Sequence, residues 1–174
     1  MSARMVGMGR SALRGRGPRM ALLSLAALAF CAPQAAMAST APAGIGDTGP
    51  IVSGYRSYVC VDDLGNGTAN NTPIVTWACN GSPEQNWTIE SDGTIQINGK
   101  CMDVRRFSRA NKTPVRLYTC TGRANQQWVF TMSGTLVNPD SGKCLDDPRF
   151  GYANGTQLET FTCNGGRNQQ WELP

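Results

Sequence analysis

Apolar residues along this chain fall in short runs broken every few residues by Gly, Asn or Asp. Asp92-Gly93-Thr94-Ile95-Gln96-Ile97 and Ser133-Gly134-Thr135-Leu136-Val137 are two such runs, and Gly49-Pro50-Ile51-Val52 resembles them. Short β-branched segments bounded by turn residues predict strands, and no stretch carries the 3.6-residue period of an amphipathic helix. The pattern also recurs. Trp87, Trp128 and Trp171 each follow a Gln-x pair, and each lies 27 residues after a cysteine (Cys60, Cys101, Cys144). A fixed unit of about 40 residues repeated three times is one structural module built three times. About four strands per copy predict an all-β fold of twelve strands with pseudo-threefold symmetry, in repeats of about 50–90, 91–131 and 132–174.

The first 38 residues break the pattern. Arg4, Arg10, Arg14, Arg16 and Arg19 precede an apolar run from Met20 to about Ala32, followed by Ala36-Met37-Ala38. A basic start, a short apolar stretch and a small-x-small site form a secretory signal peptide. The run falls short of the ~20 residues a membrane-spanning helix needs. Phe30 before Cys31 is too large for lipoprotein processing. Residues 39–49 then read as a flexible linker and 50–174 as the folded domain.

Removing residues 1–38 changes the charge. The whole chain has 16 basic and 12 acidic residues, and five of the basic ones lie in the leader. The remainder carries 11 basic against 12 acidic, so nothing points to nucleic acid or to membrane insertion. Six cysteines remain, an even number suited to disulfides in an exported protein.

Counting from the first cysteine of each copy, Asp62, Asp103 and Asp146 stand at +2. An aromatic stands at +17 (Trp77, Tyr118, Phe161) and a second cysteine at +19 (Cys79, Cys120, Cys163). If positions 0 and +19 face each other on antiparallel strands, +2 faces +17. The spacing thus predicts bridges Cys60–Cys79, Cys101–Cys120 and Cys144–Cys163, each with an Asp–aromatic pair beside it. Val61, Met102 and Leu145 at +1, and Ile74, Val115 and Leu158 at +14, would point to the core. A carboxylate accepts hydrogen bonds from adjacent hydroxyls, and an aromatic face covers the C–H side of a sugar ring. The same residues could equally be turn-capping Asp and ordinary core aromatics. The tryptophans at +27 read as core, and the Gln at +25 as a buried hydrogen-bonding residue.

Three Gln-x-Trp motifs, each preceded by Cys-x-Asp and a second cysteine, resemble the ricin B-type lectins across about residues 50–174. The resemblance implies a β-trefoil with up to three shallow sugar sites for galactose-type or xylan-type ligands. It further implies that the +2 Asp binds sugar hydroxyls, the +17 aromatic stacks on the ring, an Asn at +24 adds a hydrogen bond and the +25 Gln steadies the Asp. Copy two matches with Asp103, Tyr118, Asn125 and Gln126, and copy three with Asp146, Phe161, Asn168 and Gln169. Copy one keeps Asp62, Trp77 and Gln85, but has Glu84 in place of Asn and Val75 at +15, where the other copies carry Arg116 and Glu159.

The chain has no histidine, which removes the commonest general base and a common metal ligand. Paired cysteines cannot serve as thiolates. Asp62-Asp63 and Asp146-Asp147 are strand neighbours that point to opposite faces, a poor acid–base pair. The expectation is a secreted, extracellular binding protein with no enzymatic activity, no cofactor and no metal. Its partners would be glycans or polysaccharide, and possibly a separate catalytic or toxin subunit. Protease inhibition rests on fold analogy alone. Asn66-Gly67-Thr68, Asn111-Lys112-Thr113 and Asn154-Gly155-Thr156 are glycosylation triplets, and turn chemistry explains the last two.

Overall fold

The computed structural model describes residues 45–150 and 153–174. The expected signal peptide, and the linker up to residue 44, lie outside the described residues.

Copy one contributes β2 (Val52–Ser53), β3 (Arg56–Asp63), β4 (Ile74–Ala78) and β5 (Trp87–Ile89), preceded by β1 (Thr48–Gly49). Copy two contributes β6 (Ile95–Ile97), β7 (Lys100–Val104), β8 (Thr113–Thr119) and β9 (Val129–Phe130). Copy three contributes β10 (Leu136–Asn138), β11 (Lys143–Asp146), β12 (Thr156–Gln157), β13 (Glu159–Thr162) and β14 (Trp171–Glu172). Four strands per copy is the expected pattern. The count reaches fourteen because Leu158 divides β12 from β13 and because β1 is additional. Thr48 and Gly49, expected in the linker, pair with Thr88 and Trp87. Short 3-10 turns, not α-helices, occupy the bends.

Each copy is built on one hairpin, β3–β4, β7–β8 or β11–β13. The fourth strand of each copy pairs with the first of the next: β5 with β6, β9 with β10, and β14 back to β2. That last pairing closes the ring and gives the β-trefoil.

Two sets of polar contacts fasten the copies. The +10 Asn of each copy accepts the +18 backbone N–H of the next: Asn70 Oδ1 from Thr119 (2.8 Å), Asn111 Oδ1 from Thr162 (2.9 Å) and Asn154 Oδ1 from Ala78 (2.8 Å). The +12 threonine turns its hydroxyl back onto the +9 carbonyl in all three. These contacts account for the Asn-x-Thr triplets at Asn111 and Asn154 as turn chemistry. Where the copies meet, the Gln157 amide Nε2 lies 2.7–2.8 Å from the carbonyls of Ile74, Val115 and Leu158.

The core follows the pattern read from the sequence. Val61, Met102, Leu145, Ile74, Val115 and Leu158 are fully buried in one cluster with the three tryptophans. Each indole N–H donates to the +1 carbonyl of its own copy: Trp87 to Val61, Trp128 to Met102 and Trp171 to Leu145. The ring fills the core while its one polar atom is satisfied. The three disulfides join Cys60–Cys79, Cys101–Cys120 and Cys144–Cys163.

Candidate functional site

The hairpin register differs from the expected one by two residues. Cys60 faces Trp77, and Asp62 faces Val75. Likewise Cys101 faces Tyr118 and Asp103 faces Arg116, and in copy three Cys144 faces Phe161 and Asp146 faces Glu159. Cys79 lies just beyond β4, and its N–H donates to Tyr58. Each bridge therefore crosses the hairpin diagonally, with Cα atoms 5.0–5.1 Å apart. A slip of two leaves every side chain on its face. The Asp and the aromatic thus share a face as diagonal neighbours, and the residue opposite each Asp is the one at +15.

The Gln-x-Trp segment forms a 3-10 turn in each copy: Pro83–Gln85, Ala124–Gln126 and Arg167–Gln169. The preceding glycine (Gly81, Gly122 or Gly165) turns the chain in the left-handed region, with φ between 68° and 72°. The turn aims its glutamine at the hairpin. Gln85, Gln126 and Gln169 Nε2 donate to the Asp Oδ2 at 3.0, 3.0 and 2.7 Å, and also to the +18 carbonyl. Their Oε1 atoms accept the +20 backbone N–H. All three are buried with both ends of the amide engaged. They orient the carboxylates and present no polar atom to solvent.

The three carboxylates are equally buried, at 5 %, 2 % and 4 % exposure for Asp62, Asp103 and Asp146. Their surroundings differ. In copy three, Asn168 Nδ2 (2.9 Å) and Gln169 Nε2 both donate to Asp146 Oδ2. Among the described residues no donor reaches Oδ1. Burial raises the Asp146 carboxyl above its ordinary range, and the Gln169 and Asn168 amides pull it back. Glu159 opposite is also raised, first by burial and then by the Asp146 charge, with Lys112 opposing.

In copy two, Asn125 Nδ2 (2.8 Å) and Gln126 Nε2 take Asp103 Oδ2, while Arg116 Nε reaches Oδ1 at 3.1 Å. The Arg116 guanidinium also lies 4.7 Å from the Tyr118 ring centre and donates to Asn71 Oδ1. The pair on which a sugar would sit is thus bridged by an arginine. Asp103, Tyr118 and Asn125 line a cavity of about 240 Å³ with Arg106, Phe107 and Arg123.

In copy one, Asp62, Trp77 and Glu84 line a cavity of about 300 Å³. Burial raises the Asp62 carboxyl; Gln85 lowers it and the Glu84 charge adds to the rise. A cavity of about 400 Å³ beside copy three holds Glu159 and residues 153–157 but not Asp146, Phe161 or Asn168. A larger one, about 550 Å³, lies against the Cys60–Cys79 bridge and contains no carboxylate or aromatic ring.

Phe107 and Phe150 complete the picture and were not singled out from the sequence. Both stand at +6, are 44 % and 40 % exposed, and have φ of 55° and 56°. Arg123 stacks over Phe107 at 5.6 Å, and Phe150 meets Tyr55 edge-on. Left-handed backbone costs an ordinary side chain roughly 1–2 kcal/mol. The signal was the aligned +6 column, Asn66, Phe107 and Phe150, where an Asn that suits such a turn alternates with rings that do not. Among the described residues no group of three or more His, Cys, Asp or Glu could hold a metal.

Comparison with known proteins agrees with the fold. The ricin-type beta-trefoil lectin domain model matches residues 47–171. Abrin-a of Abrus precatorius is 45 % identical over 51 residues, covering 28 % of this chain and 10 % of its own. The chain spans about a tenth of the length of the curated relatives it matches. An agglutinin structure from Abrus precatorius superposes with TM-score 0.67 at 28 % identity, over 77 % of this chain and 50 % of that one. The designed threefold-symmetric protein ThreeFoil superposes with TM-score 0.65 at 27 % identity, over 72 % and 96 %.

Proposed function

The chain belongs to the ricin-type β-trefoil lectin family, and on that premise we propose that it is a secreted carbohydrate-binding protein for galactose-type or xylan-type glycans. The observation that carries this reading is the Asp146 carboxylate. It is oriented by two amides through one oxygen, while the other, which no donor among the described residues reaches, would meet ligand hydroxyls on a face shared with Phe161. A buried carboxylate held in place before binding loses little freedom when the ligand arrives. Copy three is the principal site. In copy two the sugar shares Asp103 with Arg116. In copy one Glu84 replaces the amide donor, so that site is the weakest. Two or three shallow sites on one body gain by avidity on a polyvalent glycan.

Three disulfides point to an oxidising compartment. Cleavage after Ala38 supplies the route, and N-terminal sequencing of the exported protein should begin at Ser39. A glycan array tests the binding reading: galactosides or xylan fragments should be retained, and no retention on any glycan would end it. Assay for new reducing ends on bound polysaccharides should show none.

A second reading is a glycan-binding delivery subunit of a larger secreted assembly. It is favoured by the relatives' being about ten times longer than the matched region. A partner recovered with the protein from culture medium would support it.

A further inference from the structure

The three copies share a backbone but not a charge. Copy two, residues 91–131, carries seven basic residues against two acidic. Copies one and three carry one against four and three against five. Outside the leader the chain is close to neutral, so this is a local concentration.

Several of these charges surround one cavity. Arg106, Arg116 and Arg123 line the copy-two site, with Asp103 the only carboxylate among its lining residues. Arg106 and Arg116 also line the neighbouring cavity of about 490 Å³, together with Arg105. The pseudo-symmetry provides an internal control. The positions of Arg106, Arg116 and Arg123 are Gly65, Val75 and Ser82 in copy one, on a hairpin of the same register. The fold therefore does not require arginine at any of them.

The backbone carries a second mark. Arg106 and Phe107 are consecutive left-handed residues, with φ of 58° and 55°. Copy one uses Gly65 and Asn66 for the same bend, at 75° and 55°, residues that adopt it readily. Copy two keeps a charged and an aromatic side chain in a strained conformation that Gly-Asn would relieve. Such strain persists where side chains serve a site. The result is a cavity with rings from Tyr118 and Phe107 and guanidinium groups between and around them.

We propose that the copy-two cavity binds an anionic sugar residue, its ring against Tyr118 and Phe107 and its acid group taken by Arg106, Arg116 and Arg123. The inference rests on the glycan-binding reading and sharpens it to an acidic glycan. Guanidinium groups meet carboxylate and sulfate with paired, charge-assisted hydrogen bonds. A uronic acid and a sulfated hexose offer this chemistry equally.

The test is calorimetric titration of the protein with methyl galactoside, galacturonate and galactose 6-sulfate. At roughly 0.01 M salt at least one acidic sugar should bind about tenfold tighter than the neutral one, the scale of one charge-assisted hydrogen bond. The gap should close toward roughly 1 M salt. Whichever acidic sugar gains identifies the source. Arg106→Gly, which suits the left-handed backbone, and Arg123→Ala should remove the acidic preference, while methyl galactoside still binds through copy three. D146N should do the reverse, lowering neutral binding and sparing the preference. Equal affinity for acidic and neutral sugars, or a preference that survives the Arg106→Gly/Arg123→Ala double variant, overturns the inference and leaves the lectin reading standing. Failure of every sugar to bind overturns both.

Discussion

Asn154 Oδ1 accepts the backbone N–H of Ala78 at 2.8 Å, and this contact ties the last copy to the first. Asn70 and Asn111 make the same bond at the other two junctions. Asn154→Ala should lower stability by about 0.5–1.5 kcal/mol, read from chemical denaturation. Asn70→Ala and Asn111→Ala should match it. A silent Asn154 variant would mean that the backbone pairing of β14 with β2 is enough to close the ring.

Asp146, the carboxylate proposed to meet the ligand, also pins the 3-10 turn through Asn168 and Gln169, so its removal should have two effects. Asp146→Ala strands the Asn168 and Gln169 amides and should cost about 1–3 kcal/mol. Asp146→Asn retains one acceptor for those amides but turns an NH₂ toward the ligand. It should melt close to wild type and lose most neutral-glycan binding at that copy. Thermal melts beside calorimetric titration separate the two effects.

Trp128 fills the core and donates its indole N–H to Met102. Trp128→Ala should destabilise by about 3–5 kcal/mol. Residual folded protein should still bind through copy three. Selective loss of binding with normal stability would contradict a core role.

Asp63 is pushed up to about 7, first by burial and then by the charge of Asp62, with the Asn98 amide opposing. The unfolded chain releases this proton near pH 4. Between about pH 4 and 7 the folded state holds a proton that the unfolded state has lost, so this group's contribution falls as pH rises through that window. Denaturation midpoints should drop from pH 4 to pH 7 more steeply in wild type than in Asp63→Asn. Parallel slopes would show that Asp63 does not titrate there.

Much of the architecture was legible because it repeats. A spacing kept in triplicate located the disulfides, the core positions at +1 and +14, and the tryptophans, whose burial follows from size and apolarity. The hairpin register was missed by two residues. A disulfide tolerates a diagonal as well as a facing pair, so the Cys-to-Cys interval cannot choose between them. The same ambiguity hid the Asp103–Arg116 and Asp146–Glu159 pairings, which the observed register sets face to face.

The sequence by itself determined the module, its threefold repetition, the family and the side chains available to each copy. These depend on periodicity and residue type, which are local properties of the chain. Only the tertiary structure decided what surrounds each carboxylate. Asp62, Asp103 and Asp146 are identical in sequence position and nearly identical in burial. Whether an oxygen is left for a ligand depends on what the facing strand and the neighbouring loops bring to within about 3 Å, the reach of a hydrogen bond. Arg116 reaches that oxygen of Asp103 in copy two, the Glu84 charge lies near Asp62 in copy one, and in copy three no donor among the described residues reaches Asp146 Oδ1.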